Sequence, residues 1–297
     1  MHNILQAVHP PIRGFFMKEK INIAVIGGDE RSYHSANTLR QMGFDVSLLG
    51  FGKADTHTDI SSAVSNADCI VLPINLSSDV IKTSDGRAIS LSEVILTSKK
   101  HVTIICGGKA KKFLSSFLPS VHCFDINLSS EFVIMNSAIT AEGAIGIIID
   151  RTNLAICDMK AAILGFGNVG SITAKRLSAL GADVTVFARK ESARAEALKI
   201  CRARDFNDIE DVIDSFDCII NTVPQRTLND RALKMIRADA CIIELASPPG
   251  GFSDIDEKYG ISPINAPGLP GKCAPRSAGR IMAKAISDIL KGEIQKC

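Results

Sequence analysis

Gly165-Phe166-Gly167-Asn168-Val169-Gly170 spaces three glycines as G-x-G-x-x-G, directly after an apolar run at 161–164 and ahead of a helical pattern at 171–180. In that setting the chemistry is anion binding. The first glycine permits a tight turn, the second lets backbone approach a pyrophosphate, the third lets helix and strand pack closely, and the helix N-terminus offers N–H groups. About 20 residues further on, where an NAD site carries an acid for the ribose hydroxyls, the run 184–187 ends in Ala188-Arg189-Lys190, with Ser192 close behind. Two cations and a hydroxyl suit the 2′-phosphate of NADP, so NADP(H) is favoured over NAD(H). The competing reading makes Arg189 and Lys190 a solvated loop, with Glu191 or another group meeting NAD. Thr222, Val223 and Pro224 end the next strand, and Ala246-Ser247-Pro248-Pro249-Gly250-Gly251 ends the one after. Both lie at the carboxyl edge where open α/β sheets bind ligands, placing Thr222, Val223, Pro224, Ala246 and Ser247 beside the nicotinamide and its ribose, unless proline and glycine are plain turn residues there.

A second strand-then-glycine segment, Ile26-Gly27-Gly28-Asp29-Glu30-Arg31, fails as a dinucleotide fingerprint, because Asp29 and Ser32 stand where glycines are needed. A helix N-terminus at Gly28 with Arg31 beside it suits a small carboxylate instead, the alternative being a surface ion pair. Absences narrow the chemistry further. All six histidines lie at or before His122, against 2-hydroxyacid dehydrogenases that keep a catalytic histidine later in the chain. Neither Tyr33 nor Tyr259 has lysine four residues on, so the short-chain dehydrogenase pair is missing.

These residues need elements to position them. From Lys20, β-branched runs at 21–26, 46–49, 69–72 and 102–106 alternate with helical periodicity, and the grammar restarts with runs at 161–164, 184–187, 218–221, 241–245 and near Ile264. Near-continuous apolar character suits strands buried on both faces. Asp68-Cys69-Ile70-Val71 and Asp217-Cys218-Ile219-Ile220 hold equivalent places in the two halves. The expected fold is α/β: two tandem Rossmann-like domains with doubly wound parallel sheets, linked by a long connecting helix. The expected boundaries are an N-terminal extension at 1–16, a Rossmann-like substrate domain at 17–135, the connecting helix at 136–152 with Asn136-Ser137 as its cap, and an NAD(P)-binding domain at 153–274. A last helix over 275–297, opened by Pro275, should pack back on the first domain.

The 297 residues are enough for two domains, and 46% hydrophobic with 22% charged residues excludes disordered and low-complexity classes. A net charge of +2 gives no broad footprint for nucleic acid or an anionic membrane. The most apolar stretch, 133–149, is interrupted by Asn136, Thr140 and Glu142. Nine cysteines without a CxxC pair point to no metal, a reducing cytosol and buried thiols at Cys69, Cys106, Cys218 and Cys241. Residues 1–16 lack the layout of a signal peptide.

Taken together, several segments resemble the family of dipicolinate synthase A subunits: Ile23 to Asp29 with Arg31, Asn136-Ser137 leading to Thr140-Ala141-Glu142-Gly143, Gly165 to Gly170, Ala246-Ser247 with Pro249-Gly250-Gly251, and Ala266-Pro267-Gly268-Leu269-Pro270-Gly271 continuing to Ala274-Pro275-Arg276-Ser277-Ala278-Gly279. The resemblance implies a mother-cell cytoplasmic oxidoreductase of sporulating bacteria. It would work with a flavoprotein-like B subunit, and as a homo-oligomer, oxidising dihydrodipicolinate or its hydroxylated precursor to dipicolinate. A flat dicarboxylate needs cationic or N–H-rich anchors, for which Gly28, Arg31, Gly268, Lys272 and Arg276 are candidates, with hydroxyls from Ser137, Thr140 and Ser277. For the proton, Glu142 is the first candidate base, then Asp29 and His34. Two further readings stay open: an amino or imino acid dehydrogenase of the alanine dehydrogenase type, and a nucleotide-binding subunit that regulates the flavoprotein without chemistry of its own.

Overall fold

The computed structural model describes residues 20–53, 57–117, 122–252 and 259–292, so the extension expected at 1–16 lies outside them. The first domain runs β1 (Asn22–Ile26), α1 (Glu30–Gln41), β2 (Asp45–Leu49), α2 (Ile60–Val64), β3 (Cys69–Val71), a hairpin of β4 (Val80–Lys82) and β5 (Ala88–Ser90), α3 (Leu91–Thr97), β6 (Thr103–Cys106), α4 (Gly108–Phe117) and β7 (His122–Asp125). Its main sheet is parallel, in the order β2-β1-β3-β6-β7. After α5 (Ser130–Arg151) the second domain follows with β8 (Lys160–Leu164), α6 (Asn168–Ala179), β9 (Asp183–Phe187), α7 (Glu191–Ala197), β10 (Arg202–Arg204), β11 (Cys218–Asn221), α8 (Asp230–Met235), β12 (Cys241–Glu244) and β13 (Ile264–Asn265). That sheet is also parallel, in the order β10-β9-β8-β11-β12-β13. The chain continues with α9 (Leu269–Cys273) and α10 (Pro275–Leu290).

Strand periodicity explains both sheets. Ala24 and Ile26 face one apolar cluster while Ile23 and Val25 face another, and in the second domain Ala161 and Ile163 separate from Ala162 and Leu164 in the same way. Each strand is therefore covered on both sides, which is why its sequence is apolar throughout. Cys69, Cys106, Cys218 and Cys241 sit buried within these clusters as small hydrophobes.

The duplication reaches single atoms. Asp68 accepts from the N–H of Asn22 at 2.9 Å, and Asp217 accepts from the N–H of Lys160 at 2.9 Å, each carboxylate satisfying the first donor of its neighbouring strand. Gly27 donates to the Leu49 carbonyl at 2.8 Å, as Gly165 does to Phe187 at 2.9 Å. The equivalence ends above Gly27. There the β4–β5 hairpin folds over the carboxyl ends of β1 and β2: a Cβ on Gly27 would lie 2.7 Å from Ile81 Cγ2, and one on Gly50 2.5 Å from Thr83 Cγ2. A roof of side chains thus covers the first domain's glycine turn, whereas Gly167 of the second domain has no heavy atom within 4 Å of an added Cβ.

The hairpin turn is held by Asp85, which accepts from Arg87 Nε at 3.0 Å and Nη2 at 2.8 Å and from the Thr83 hydroxyl, while Arg87 Nη1 reaches the Thr58 carbonyl at 2.6 Å. The Arg87 guanidinium, then the Thr83 hydroxyl, hold the Asp85 carboxyl far below the usual carboxylate range. A folded-state value below the unfolded one adds stability that is complete above about pH 4 and disappears as pH falls through the depressed value. Asp85→Asn should therefore be less stable than the parent at pH 7, with the gap narrowing in acid. Urea midpoints at pH 7 and about pH 3 check this; a gap of constant size refutes it.

The last helix, expected over 275–297, closes at Leu290 with Lys291 as its C-cap, and two further element boundaries differ from expectation. The connecting helix begins at Ser130, not near 136, because Ser129 caps it by accepting from the N–H of Phe132 at 3.2 Å and Phe132 is already buried. The α6 helix opens at Asn168 rather than 171, so the second half of the glycine motif is helical. By length and composition α5 could cross a bilayer, but Phe132, Ile139, Ala144 and Ile148 on it are buried against protein. The last helix, α10, lies on α1, where a Cβ on Gly279 would meet Ser35 N at 2.8 Å and the Arg31 carbonyl at 2.9 Å.

Candidate active site

The second domain supplies an anion seat. Gly165 has φ +99°, a conformation side chains resist, and a Cβ there would strike Thr222 Oγ1 and Val223 Cγ2 at 2.7 Å each. Gly170 packs its Cα against the Gly165 carbonyl, leaving no room for a side chain. Gly167 is the contrast: exposed, with no heavy atom within 4 Å of an added Cβ. It is also the N-cap of α6, and no side chain caps that helix, so Asn168, Val169 and Gly170 begin it with N–H groups open to an anion. This open, donor-lined turn fits a dinucleotide pyrophosphate.

Two loops beside the turn are built by a buried pair that the sequence reading did not single out. Asn221, fully buried, donates from Nδ2 to Glu244 at 2.8 and 2.9 Å and to the Val223 carbonyl at 2.9 Å, and accepts from the Val223 N–H at 3.1 Å. Glu244, 6% exposed, also accepts from the N–H groups of Ala246 at 2.9 Å, Gly251 at 2.7 Å and Phe252 at 3.1 Å. Thr222 donates to the Leu164 carbonyl at 2.8 Å. These bonds set Thr222, Val223 and Pro224 on one loop and Ala246 and Ser247 on the next, along the carboxyl edge. A polar residue closing each of two apolar strands was the available signal. At the far rim Arg189, Lys190 and Ser192 are exposed, with the rim backbone fixed by Arg194, which reaches the carbonyls of Ala188 at 2.8 Å and Arg189 at 2.7 Å and the Asp205 carboxylate at 2.5 Å.

In the first domain Asp29 caps α1 and pairs with Arg31: Nη2 meets Oδ2 at 2.9 Å and Nε meets Oδ1 at 3.3 Å. Arg31 Nη1 donates to Asn136 Oδ1 on α5 at 3.0 Å, and the Arg31 side chain is 7% exposed. Gly271 of α9 lies against the Asp29 carboxylate with no space for a Cβ. Asp29, Arg31, Asn136 and Gly271 thus form one cluster joining first domain, connecting helix and C-terminal segment. Gly28 beside it packs on Ser32. Gly268 takes φ +68° as the N-cap of α9; Lys272 and Arg276 are exposed, and Ser277 is half-buried.

The ligand-facing roles expected of Ser137 and Thr140 change, while Glu142 and His34 acquire neighbours. Ser137 and Thr140 are buried inside α5 and give their protons to the carbonyls of Val133 at 2.7 Å and Asn136 at 2.9 Å, so neither hydroxyl donates to a ligand here. Glu142 stands six residues past Asn136, about 9 Å along the helix, and its Oε1 accepts from Arg176 Nη1 of α6 at 2.8 Å. The same Arg176 nitrogen donates to the Ala138 carbonyl at 2.6 Å, tying the connecting helix to the helix of the glycine turn. His34 lies in the seam between α1 and α10, its Cβ 2.6 Å from where Gly279 would carry one, and its ring edge-on to Tyr33. Beside Glu142, burial raises the Cys273 thiol above its ordinary value, which keeps it protonated.

A seat for a nucleotide on one sheet and a charged, amide-lined edge on the other, facing strand ends in both, is the layout of nicotinamide-dependent oxidoreductases with paired Rossmann domains. The chain is an oxidoreductase of that class, and residues 148–248 match the family model "D-isomer specific 2-hydroxyacid dehydrogenase, NAD binding domain". Residues 22–125 match the model of the N-terminal domain of the dipicolinate synthase A subunit. The dipicolinate synthase A subunit of Bacillus subtilis (strain 168) is 32% identical over 295 residues, spanning 93% of this chain and 97% of the relative. The crystal structure of the dipicolinate synthase A subunit from Bacillus halodurans superposes with TM-score 0.80 at 29% identity, covering 91% of this chain and 97% of that one. An L-alanine dehydrogenase shares the fold alone, at TM-score 0.63 and 16% identity over 91% of this chain and 89% of its own. The chain belongs to the family of dipicolinate synthase A subunits.

Proposed function

We propose that the protein oxidises dihydrodipicolinate, or its hydroxylated tetrahydro precursor, to dipicolinate, with NADP favoured over NAD. The observation that carries this reading is the likeness to a dipicolinate synthase A subunit over 93% of the chain, together with a glycine turn left open for a dinucleotide. A nicotinamide cofactor, when bound, accepts the hydride; the protein must bind the ring and take the proton, and the hydroxylated precursor loses water besides. Arg31 spends Nε and Nη2 on Asp29 and Nη1 on Asn136, so its charge is met within the protein and it shapes the edge of the first domain rather than offering a free cation. Lys272 and Arg276, exposed and without a carboxylate partner among the described residues, are the cations for the substrate carboxylates. Glu142 remains the first candidate base, because Asp29 spends both oxygens on Arg31 whereas only one Glu142 oxygen meets Arg176.

By family likeness the protein works in the cytoplasm of a sporulating mother cell as a homo-oligomer beside a flavoprotein-like B subunit. Dihydrodipicolinate supplied with NADP or NAD, to this chain alone and with the B subunit, tests the reading through near-ultraviolet absorbance of the pyridine product and reduction of the nicotinamide. Hydride transfer only in the mixture, with nucleotide bound but unreduced by this chain alone, would favour a regulatory nucleotide-binding subunit. Glu142→Gln keeps a hydrogen-bond acceptor for Arg176, so it should retain NADPH binding and lose turnover by about 100-fold. Parental turnover leaves Glu142 as a tie between α5 and α6.

A further inference from the structure

Arg189 stands exposed in the turn after β9, yet its guanidinium is not loose. Gln225, in the turn after β11, meets it: with the amide turned as its neighbours require, the side-chain oxygen accepts from Nη1 and Nη2 of Arg189 at 3.1 Å each. Because β9 and β11 flank β8, this bond spans the carboxyl end of the strand that leads into the glycine turn. In such folds the adenosine half of a dinucleotide lies against these two turns.

The choice of anchor is informative. Nearby arginines of the same domain meet carboxylates: Arg194 with Asp205, Arg202 with Asp183, Arg226 with Asp230, and Arg237 with Asp217 and Asp239. Arg189 meets a neutral amide, which fixes direction without cancelling charge. A guanidinium has five N–H donors. Gln225 engages two, and the rest have no partner among the described residues. Lys190, next along the rim, has no carboxylate partner there either. Two adjacent cations, one of them held in place, add little to stability and form a good receptor for a doubly charged group. Holding a long side chain in its binding geometry before the ligand arrives is worth about 2- to 10-fold in affinity.

We infer that Gln225 is a positioning residue that presets Arg189 for the 2′-phosphate of NADP, and so sets preference between the two nicotinamide cofactors. The inference rests on the NADP reading above and adds the group that orients the arginine. A carboxylate at position 225 would hold Arg189 equally well but neutralise it, which separates orientation from charge.

The test uses the full chain and four proteins: the parent, Gln225→Ala, Gln225→Glu and Arg189→Ala. NADPH and NADH are titrated by nicotinamide fluorescence, with adenosine 2′,5′-bisphosphate and adenosine 5′-monophosphate as competitors, and thermal midpoints confirm folding. Gln225→Ala should weaken NADPH by about 3- to 10-fold, and Gln225→Glu by about 10- to 100-fold, each leaving NADH within about 2-fold. Arg189→Ala should match or exceed Gln225→Glu, the bisphosphate should follow NADPH, and the monophosphate should follow NADH. Equal losses for both cofactors in the Gln225 variants would overturn the inference, as that residue would then support the turn as a whole. Unselective behaviour confined to the Gln225 variants, with Arg189→Ala still selective, overturns it while sparing the NADP reading. An unselective Arg189→Ala removes both.

Discussion

Gly167→Asp should fold at least as stably as the parent and lose its dinucleotide, with affinity for NADPH and NADH falling by about 100-fold or more. Backbone geometry allows the substitution: φ is −84° and ψ −164°, ordinary extended values, and no atom lies within 4 Å of the new Cβ. Position 167 is a helix N-cap, where aspartate is among the preferred residues and contributes about a few tenths of a kcal/mol over glycine through bonds to the first N–H groups. Those are the donors a pyrophosphate needs, so the carboxylate fills the seat and repels its occupant. Thermal unfolding and a fluorescence titration with NADPH settle both halves of the expectation. Binding at parental strength would show that the nucleotide sits elsewhere. The neighbouring glycines make poor probes, because side chains at 165 or 170 would collide with Thr222, Val223 or the Gly165 carbonyl and confound binding with folding.

Glu244→Ala should cost about 3–5 kcal/mol and loosen the backbone of 246–252. The carboxylate is 6% exposed and accepts from three backbone N–H groups and from Asn221. Truncation strands all of these donors in a site that water barely reaches, and stranding is more costly than the bonds were worth. Gly250, with φ +75° and a would-be Cβ 2.9 Å from Glu244 Oε2, shows how tightly the loop is wrapped on this side chain. Glu244→Gln keeps the shape but turns an NH₂ toward donors, so about 1–3 kcal/mol should be lost. Urea denaturation gives the energies, and amide exchange at 246–252 gives the local order. A Glu244→Ala protein with parental stability and protection would mean that the loop is held from elsewhere.

Both sheets were readable because their strands are apolar on both faces, and the duplication was readable because Asp68 and Asp217 precede matching runs. The glycine turn was readable for a stricter reason: positive φ at 165 and backbone contact at 170 admit one residue type. Other elements left weaker marks. Arg202-Ala203-Arg204 forms edge strand β10 yet has the composition of a solvated loop, since only one of its faces meets protein. The hairpin is made of three-residue strands, too short to show alternation above its polar surroundings. The connecting helix offered two capping sites, Ser129 and Asn136-Ser137, and local chemistry fits either; burial of Phe132 decides for the earlier one. Partners in the site were least legible. Arg31 and Asn136 meet across 105 positions, and Asn221 and Glu244 across 23, on strands whose adjacency only the tertiary fold creates.

The position of α10 bears on how the molecule matures. Met282, Ala283, Ile286 and Ile289 from this helix complete the apolar cluster under Ile23, Val25, Leu48 and Val71. The half translated first therefore waits for a stretch translated after the second half, whereas the contiguous second half can condense as soon as it leaves the ribosome. Completion runs in the reverse of the order of synthesis. A nascent chain paused before Pro275 carries an uncovered greasy face on its earlier half, which makes that interval the one in which a chaperone would engage it.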